Sequence, residues 1–191
     1  QFQVLNRGTS IQGFTKSLNT NYILSLVNTF NPSDKIGLTT SAGYTQENGD
    51  FNNVLNVATR VASGQSNVDQ GSALSAQQFR NKFQNQGIFI QEEASINDAI
   101  NLTAGVRFDR STNNGDPEKF YVYPKAGVSF NLTRMGIMSD GFFDNLKLRA
   151  AYGQSANFPV FGSKFTTFVA SNIGGLQGYL VNVQGGDPEI E

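Results

Sequence analysis

The sequence predicts an all-β protein, an antiparallel up-and-down β-barrel whose strands cross a membrane. Three observations carry the prediction. Apolar and polar residues alternate with a period of two in stretch after stretch, which sends successive side chains to opposite faces of a strand. Phe is abundant at 16 residues and Asn and Gln number 21 and 14, while charged residues make up only 15% of the chain. Strands joined by polar connections have this composition, and helical proteins do not. Short and long connections take turns, as in a meander with tight turns at one end of the strands and elaborated loops at the other.

In chain order, the first dozen residues and the segment 20–30 read as two weaker strands, followed by a tight turn at Asn31-Pro32-Ser33-Asp34. In the next stretch Ile36, Leu38, Thr40, Ala42 and Tyr44 oppose Lys35, Gly37, Thr39, Ser41 and Gly43. Residues 46–86 form a long polar excursion, within which SALSAQQFRNKFQNQ (72–86) suits a short amphipathic helix. A weaker strand at 87–96 leads to a tight turn at Asn97-Asp98. Then Leu102, Ala104, Val106 and Phe108 oppose Asn101, Thr103, Gly105, Arg107 and Asp109. After a loop at 111–120, Val122, Ala126, Val128, Phe130 and Leu132 oppose Tyr123, Lys125, Gly127, Ser129 and Asn131. A moderate turn at 133–145 precedes LKLRAAYG, where Leu146, Leu148, Ala150 and Tyr152 oppose Lys147, Arg149, Ala151 and Gly153. Residues 154–188 form a second long, Gly/Ser/Asn-rich stretch.

Strands of about 10 residues with one apolar face and connections sorted by end are the pattern of an outer-membrane barrel. A soluble sandwich also alternates, but its loops need not sort by end. Glu92 fits the barrel badly, because it shares a face with Ile88, Ile90, Ala94 and Ile96, and a carboxylate in hydrocarbon is costly. A bulge, an interfacial position or a protein neighbour would each rescue it. Its facing stays open at this level, as does that of the 20–30 strand.

Composition excludes much else. Without Cys, His or Trp, there are no disulfides, thiol nucleophiles, Cys/His zinc sites or imidazole-dependent triads. A net charge of −1 provides no basic field for nucleic acid. No run approaches 18 apolar residues, which excludes a transmembrane helix and leaves a barrel untouched. The opening QFQVLNRGTS has no basic start and no apolar core of a signal peptide, so a processed chain or an internal piece is expected.

No catalytic constellation emerges, and an enzyme is not expected. Glu92 and Glu93 are adjacent in a strand and point to opposite faces, so they do not converge on one bond. Arg107, Asp109, Lys125, Lys147 and Arg149 all fall on polar faces of strands. They read either as a charged lumen wall or as cross-strand ion pairs contributing roughly 0.2–1 kcal/mol each. Asp116-Pro117-Glu118 and Asp187-Pro188-Glu189 read as solvated turns, with loop-bound Ca²⁺ as the alternative. Otherwise no cofactor and no metal is expected. The sequons at Asn101 and Asn131 lie in strands, where glycosylation is not expected, and Gly174-Gly175 and Gly185-Gly186 mark flexible loop. Phe108, Phe120, Tyr121, Tyr123, Phe142, Phe143, Tyr152 and Phe158 gather near strand ends, as in a membrane-interface girdle.

Three stretches carry a family resemblance. GIFIQEEASINDAINLTAGVRFDRSTNN (87–114) resembles the strand–turn–strand pattern of TonB-dependent outer-membrane receptors, and YPKAGVSFNLT (123–133) resembles the strand that follows it. LKLRAAYGQSANFP (146–159) resembles the L-K-L-R-x-S-Y-G-Q-T-G-N-x-P of the SusC/RagA branch, the TonB-linked transporters of Bacteroidetes, with Ala151 and Ser155-Ala156 in place of Ser and Thr-Gly. The closing GDPEIE is similar to the entry to a further strand. The resemblance covers 87–191 well and 20–47 loosely.

It implies that residues 1–191 are about seven or eight strands of a 22-stranded barrel domain, without its plug and TonB box, with long extracellular loops at about 46–86 and 154–188. It further implies active uptake of oligosaccharides or peptides across the bacterial outer membrane. The partners it implies are outer-membrane lipid, a SusD-like lipoprotein, and TonB acting through the missing N-terminal region. A siderophore-type receptor and a small non-transport barrel or adhesin are the alternatives.

Overall fold

The computed structural model describes residues 8–137, 145–174, 176–181 and 185–190. Strands dominate it: β1 (Gly8–Ser33), β2 (Ile36–Val61), β3 (Gly71–Ile96), β4 (Ile100–Ser111), β5 (Tyr121–Asn131), β6 (Lys147–Gly153), β7 (Phe168–Ile173) and β8 (Leu176–Val181). The first six form one sheet in the order β1-β2-β3-β4-β5-β6, and β7-β8 is a separate two-stranded ribbon. Chain order and sheet order coincide, which is the up-and-down meander the alternating connections predict.

Four expectations change. The first dozen residues and 20–30 are not two strands; from Gly8 onward they belong to one strand of 26 residues, with residues 1–7 outside the described part. The excursion at 46–86 is mostly strand, since β2 runs on to Val61 and β3 begins at Gly71, with only a 3-10 turn, Val68–Gln70, among the residues between them. The helix expected over 72–86 is part of β3. Phe79 and Phe83 are four apart, a spacing that satisfies both a helical and a strand period, so pairing with β2 decides. The 154–188 stretch contains the β7–β8 ribbon.

Two compact units result, Gln1–Thr20 with Asn48–Phe83 and Asn21–Glu47 with Gln84–Glu191. In the first, Phe51 and Phe79 meet edge-to-face at 6.0 Å and Lys82 Nζ lies 3.2 Å from Asp50 Oδ2. The ring of Phe83 fills the space that a side chain at Gly49 would need. Ala58 and Val61 are buried, and a Cβ on Gly71 would come within 2.8 Å of the Ala58 methyl, so β3 starts on the one residue that fits. The Ser10 hydroxyl donates to the Ser66 carbonyl at 2.6 Å.

In the second unit the strand register fixes two faces. On one face Ile88, Phe108 and Val122 share a row, as do Ile90, Val106 and Pro124. Below them run Glu92–Ala104–Ala126–Tyr152, Ala94–Leu102–Val128–Ala150 and Ile96–Ile100–Phe130–Leu148. The opposite rows carry Asp109, Arg107, Lys125, Arg149 and Lys147. The apolar rows are open: Ile90 is 52% and Leu148 56% exposed, and among the described residues only Ala58, Val61 and Ala99 are buried apolar ones. A contiguous apolar face of this extent suits hydrocarbon and not water. Glu92 stands in it with a partner, because the Thr40 hydroxyl donates to Glu92 Oε2 at 2.6 Å.

The tight turns gather at one end. Asn97 and Asp98 both have φ of +52°, a left-handed pair that Asn and Asp tolerate, in a three-residue connection closed by the Ala99 N–H donating to the Ile96 carbonyl at 3.0 Å. The Asn97 N–H donates to the Lys35 carbonyl of the β1–β2 turn at 2.7 Å. Arg134 Nη1 donates to the Asp98 carbonyl at 3.0 Å, from the connection after β5. At the far end the 112–118 loop receives the last part of the chain: Lys164 Nζ donates to the Thr112 and Asn114 carbonyls at 2.8 and 3.1 Å, and the Gly115 N–H donates to the Ile190 carbonyl.

Candidate functional site

On the polar face β3, β4 and β5 bring Phe89, Arg107 and Tyr123 into one row, next to the row of Gly87, Asp109 and Tyr121. Arg107 Nε lies 2.7 and 2.8 Å from the two carboxylate oxygens of Asp109, two residues along the same strand face. Its Nη2 donates to Thr45 Oγ1 at 3.1 Å. This pair sits over Gly87, since Arg107 Nη2 and Asp109 Oδ1 occupy the space of the missing Cβ. Lys125 uses the same device: its Cε lies 3.1 Å from where a Cβ on Gly105 would stand. Glycines on neighbouring strands therefore let long charged side chains lie down on the sheet.

Pro124 explains why the chain leaves the sheet here. Its carbonyl accepts from the Gln154 N–H at 3.0 Å, so its other main-chain position, which lacks a donor, faces the same side. β6 makes its last pair, Gly153 with Lys125, just before that point, and proline in a strand is tolerated where the ladder stops. From Gln154 the chain crosses the polar face, and Asn113 Nδ2 holds the Pro159 carbonyl at 3.1 Å.

The crossing borders an open-sided cavity of about 510 Å³ lined by Arg107, Asp109, Lys125, Tyr123 and Phe89 from the strands and by Gln154–Ala156 and Phe158 from the crossing segment. Phe158 also borders a second cavity with Tyr22, Thr45, Gln46 and Asn85. Asp109 is 9% exposed and its charge is met by Arg107. The Lys125 ammonium has no hydrogen-bond or ion-pair partner among the described residues.

Of the five charged residues singled out in the sequence, Arg107, Asp109 and Lys125 meet in this cavity. Lys147 and Arg149 share the face but lie in the rows of Asn131 and Ser129 and do not line it. The aromatic girdle is not one set. Phe108 and Tyr152 stand on the apolar face, whereas Tyr121 and Tyr123 stand on the opposite one. Phe158 lines the cavity, Phe120 lies under the Arg110 guanidinium at 4.9 Å, and Phe142 and Phe143 lie outside the described residues. Both Asp-Pro-Glu segments are Asx turns, Asp116 accepting from the Glu118 N–H at 2.9 Å and Asp187 from the Glu189 N–H at 3.0 Å. Glu118 pairs with Arg110 at 2.6 Å. Gly175, of the first glycine pair, lies outside the described residues.

Residues 2–191 match the family described as TonB dependent receptor-like, beta-barrel. Among solved structures the chain is similar to the RagAB peptide transporter, at 14% identity and a TM-score of 0.79 over 93% of this chain and 21% of that one. It is similar too to the RagAB peptide importer in the "closed-closed" state (13% identity, TM-score 0.77, 93% and 20%) and in the "open-open" state (14%, 0.79, 95% and 20%). The chain thus spans about a fifth of the length of these structures. No curated protein sequence matches it.

Proposed function

Because the chain belongs to the TonB-dependent receptor-like β-barrel family, we propose that it is part of the wall of a SusC/RagA-type transporter in the bacterial outer membrane, importing peptides or oligosaccharides. One observation carries the reading. The register gives the sheet one face that is apolar but for the Thr40-paired Glu92 and one face with a charged, aromatic-lined cavity, as a wall between lipid and an aqueous lumen requires. The LKLRAAYGQSANFP stretch supports the SusC/RagA branch, and the similarity to solved peptide importers favours peptides.

In this reading Arg107, Asp109, Lys125, Lys147 and Arg149 face the lumen. The turn between β2 and β3 and the 154–188 region belong to the extracellular side, where a SusD-like lipoprotein covers the mouth. TonB supplies energy through the N-terminal part of the receptor, and transport proceeds by binding and release without covalent chemistry. The transport reading needs no Ca²⁺ at the Asp-Pro-Glu turns, and among the described residues no group of three or more acidic side chains comes together there.

The test is deletion of the gene in its host with complementation by the full-length receptor. Uptake of labelled short peptides should fall in the deletion strain and return on complementation only when TonB is functional. The tagged receptor should also copurify with a lipoprotein. Restored uptake of an iron chelate and not of peptides or oligosaccharides would move the protein to the siderophore class.

A further inference from the structure

We propose that the cavity beneath the 154–158 crossing is a subsite for the C-terminal carboxylate of a short peptide with an apolar residue beside it. The inference rests on the peptide-import reading and narrows it to particular atoms. Charge is the first argument. Arg107 and Asp109 satisfy each other at 2.7 and 2.8 Å, so the ammonium of Lys125 is the charge left over in the lining. Lys125 is exposed, so its ammonium stands at the open side of the cavity, where it is free to meet an incoming anion.

Shape is the second argument. Gly105 beneath the Lys125 stem fixes where the ammonium emerges, and the Phe89 ring fills the space that a Cβ on Gly43 would need. Phe158 closes the other side. An anion-binding point framed by aromatic rings suits a carboxylate attached to an apolar side chain, and a neutral sugar would leave the ammonium unmatched. The volume lies within the about 300–1,000 Å³ usual for small-ligand sites.

The experiment uses the purified full-length receptor in detergent with a random pentapeptide library lacking Asp and Glu, offered once as free acids and once as C-terminal amides. Retained peptides are read by mass spectrometry. The wild-type receptor should retain acids over amides by about threefold, the size of effect a contact to an exposed charge supplies. Lys125→Met should abolish the preference, Lys125→Arg should keep it, and Phe158→Ala should weaken both forms together. Heat-modifiable gel mobility establishes that each variant is a folded barrel. Equal retention of acids and amides by the wild type, or an intact preference in folded Lys125→Met, overturns the subsite and leaves peptide import standing. Retention of neither form overturns both.

Discussion

Replacing Val128 by Arg asks directly which face of the sheet meets hydrocarbon. On β5 the apolar row runs from Val122 to Phe130, eight residue steps. At about 3.3 Å per residue and about 40° of tilt this gives a band about 20 Å tall. Ala126 is its centre, and Val128, two residues on, lies about 5 Å from it along the membrane normal. Arginine costs about 2–4 kcal/mol at the midplane and nearly nothing at the interface. Halfway out, Val128→Arg should destabilise the barrel by about 2 kcal/mol. Thr103→Arg is the control: it lies on the opposite face, directly across from Glu93, where opposite charges on neighbouring strands are favourable by about 0.2–1 kcal/mol. Folding of the full-length receptor into lipid vesicles, titrated with guanidinium and read by far-UV circular dichroism and gel mobility, measures both. A Val128→Arg barrel no less stable than Thr103→Arg would refute the assignment of faces.

Three other outcomes follow from the same geometry. Thr40→Val removes the donor to Glu92 on the apolar face and should cost about 1–3 kcal/mol, whereas Glu92→Leu should be neutral or stabilising in the same vesicle titration. Gly87→Val has no space under the Arg107–Asp109 pair and should cost about 1–3 kcal/mol, while Gly64→Val, whose added Cβ meets no atom but whose φ of +81° is strained, should cost through the backbone alone. A cysteine at Ser66, in the connection after β2, should react with an impermeant maleimide on intact cells. One at Ser33, at the tight-turn end of β1, should react only after the outer membrane is permeabilised; the reverse pattern would invert the topology.

The strands that alternate cleanly were the legible part. β4 and β5 appear in the sequence almost residue for residue, because each has one apolar face and turn residues such as Asn97-Asp98 at its start. The continuations of β2 and β3 were hidden for a physical reason. Polar residues such as Gln46, Asn52, Gln78 and Asn85 fall at both odd and even positions, so period two leaves no trace. Thr40 and Glu92 are 52 residues apart, and only the pairing of β2 with β3 brings one to the other. The cavity was half legible. Arg107, Asp109 and Lys125 announce themselves as charges on a polar strand face, and Phe89 follows from the same alternation. Nothing periodic marks 154–158, and its inward course depends on Pro124 and on the end of β6, which no local pattern in 154–158 encodes.

The strand order has a consequence for how such a wall can change its size. Every strand of the six-stranded sheet pairs with the one before it and runs the opposite way, so direction is a matter of parity. Removing one strand would reverse all those after it, placing tight turns where long connections stood. Removing a hairpin would preserve direction and both faces. Insertions and deletions in this sheet are therefore tolerated in units of two strands. A chimera exchanging whole hairpins should keep its inside and outside, while one joined in mid-hairpin turns the remainder of the wall upside down.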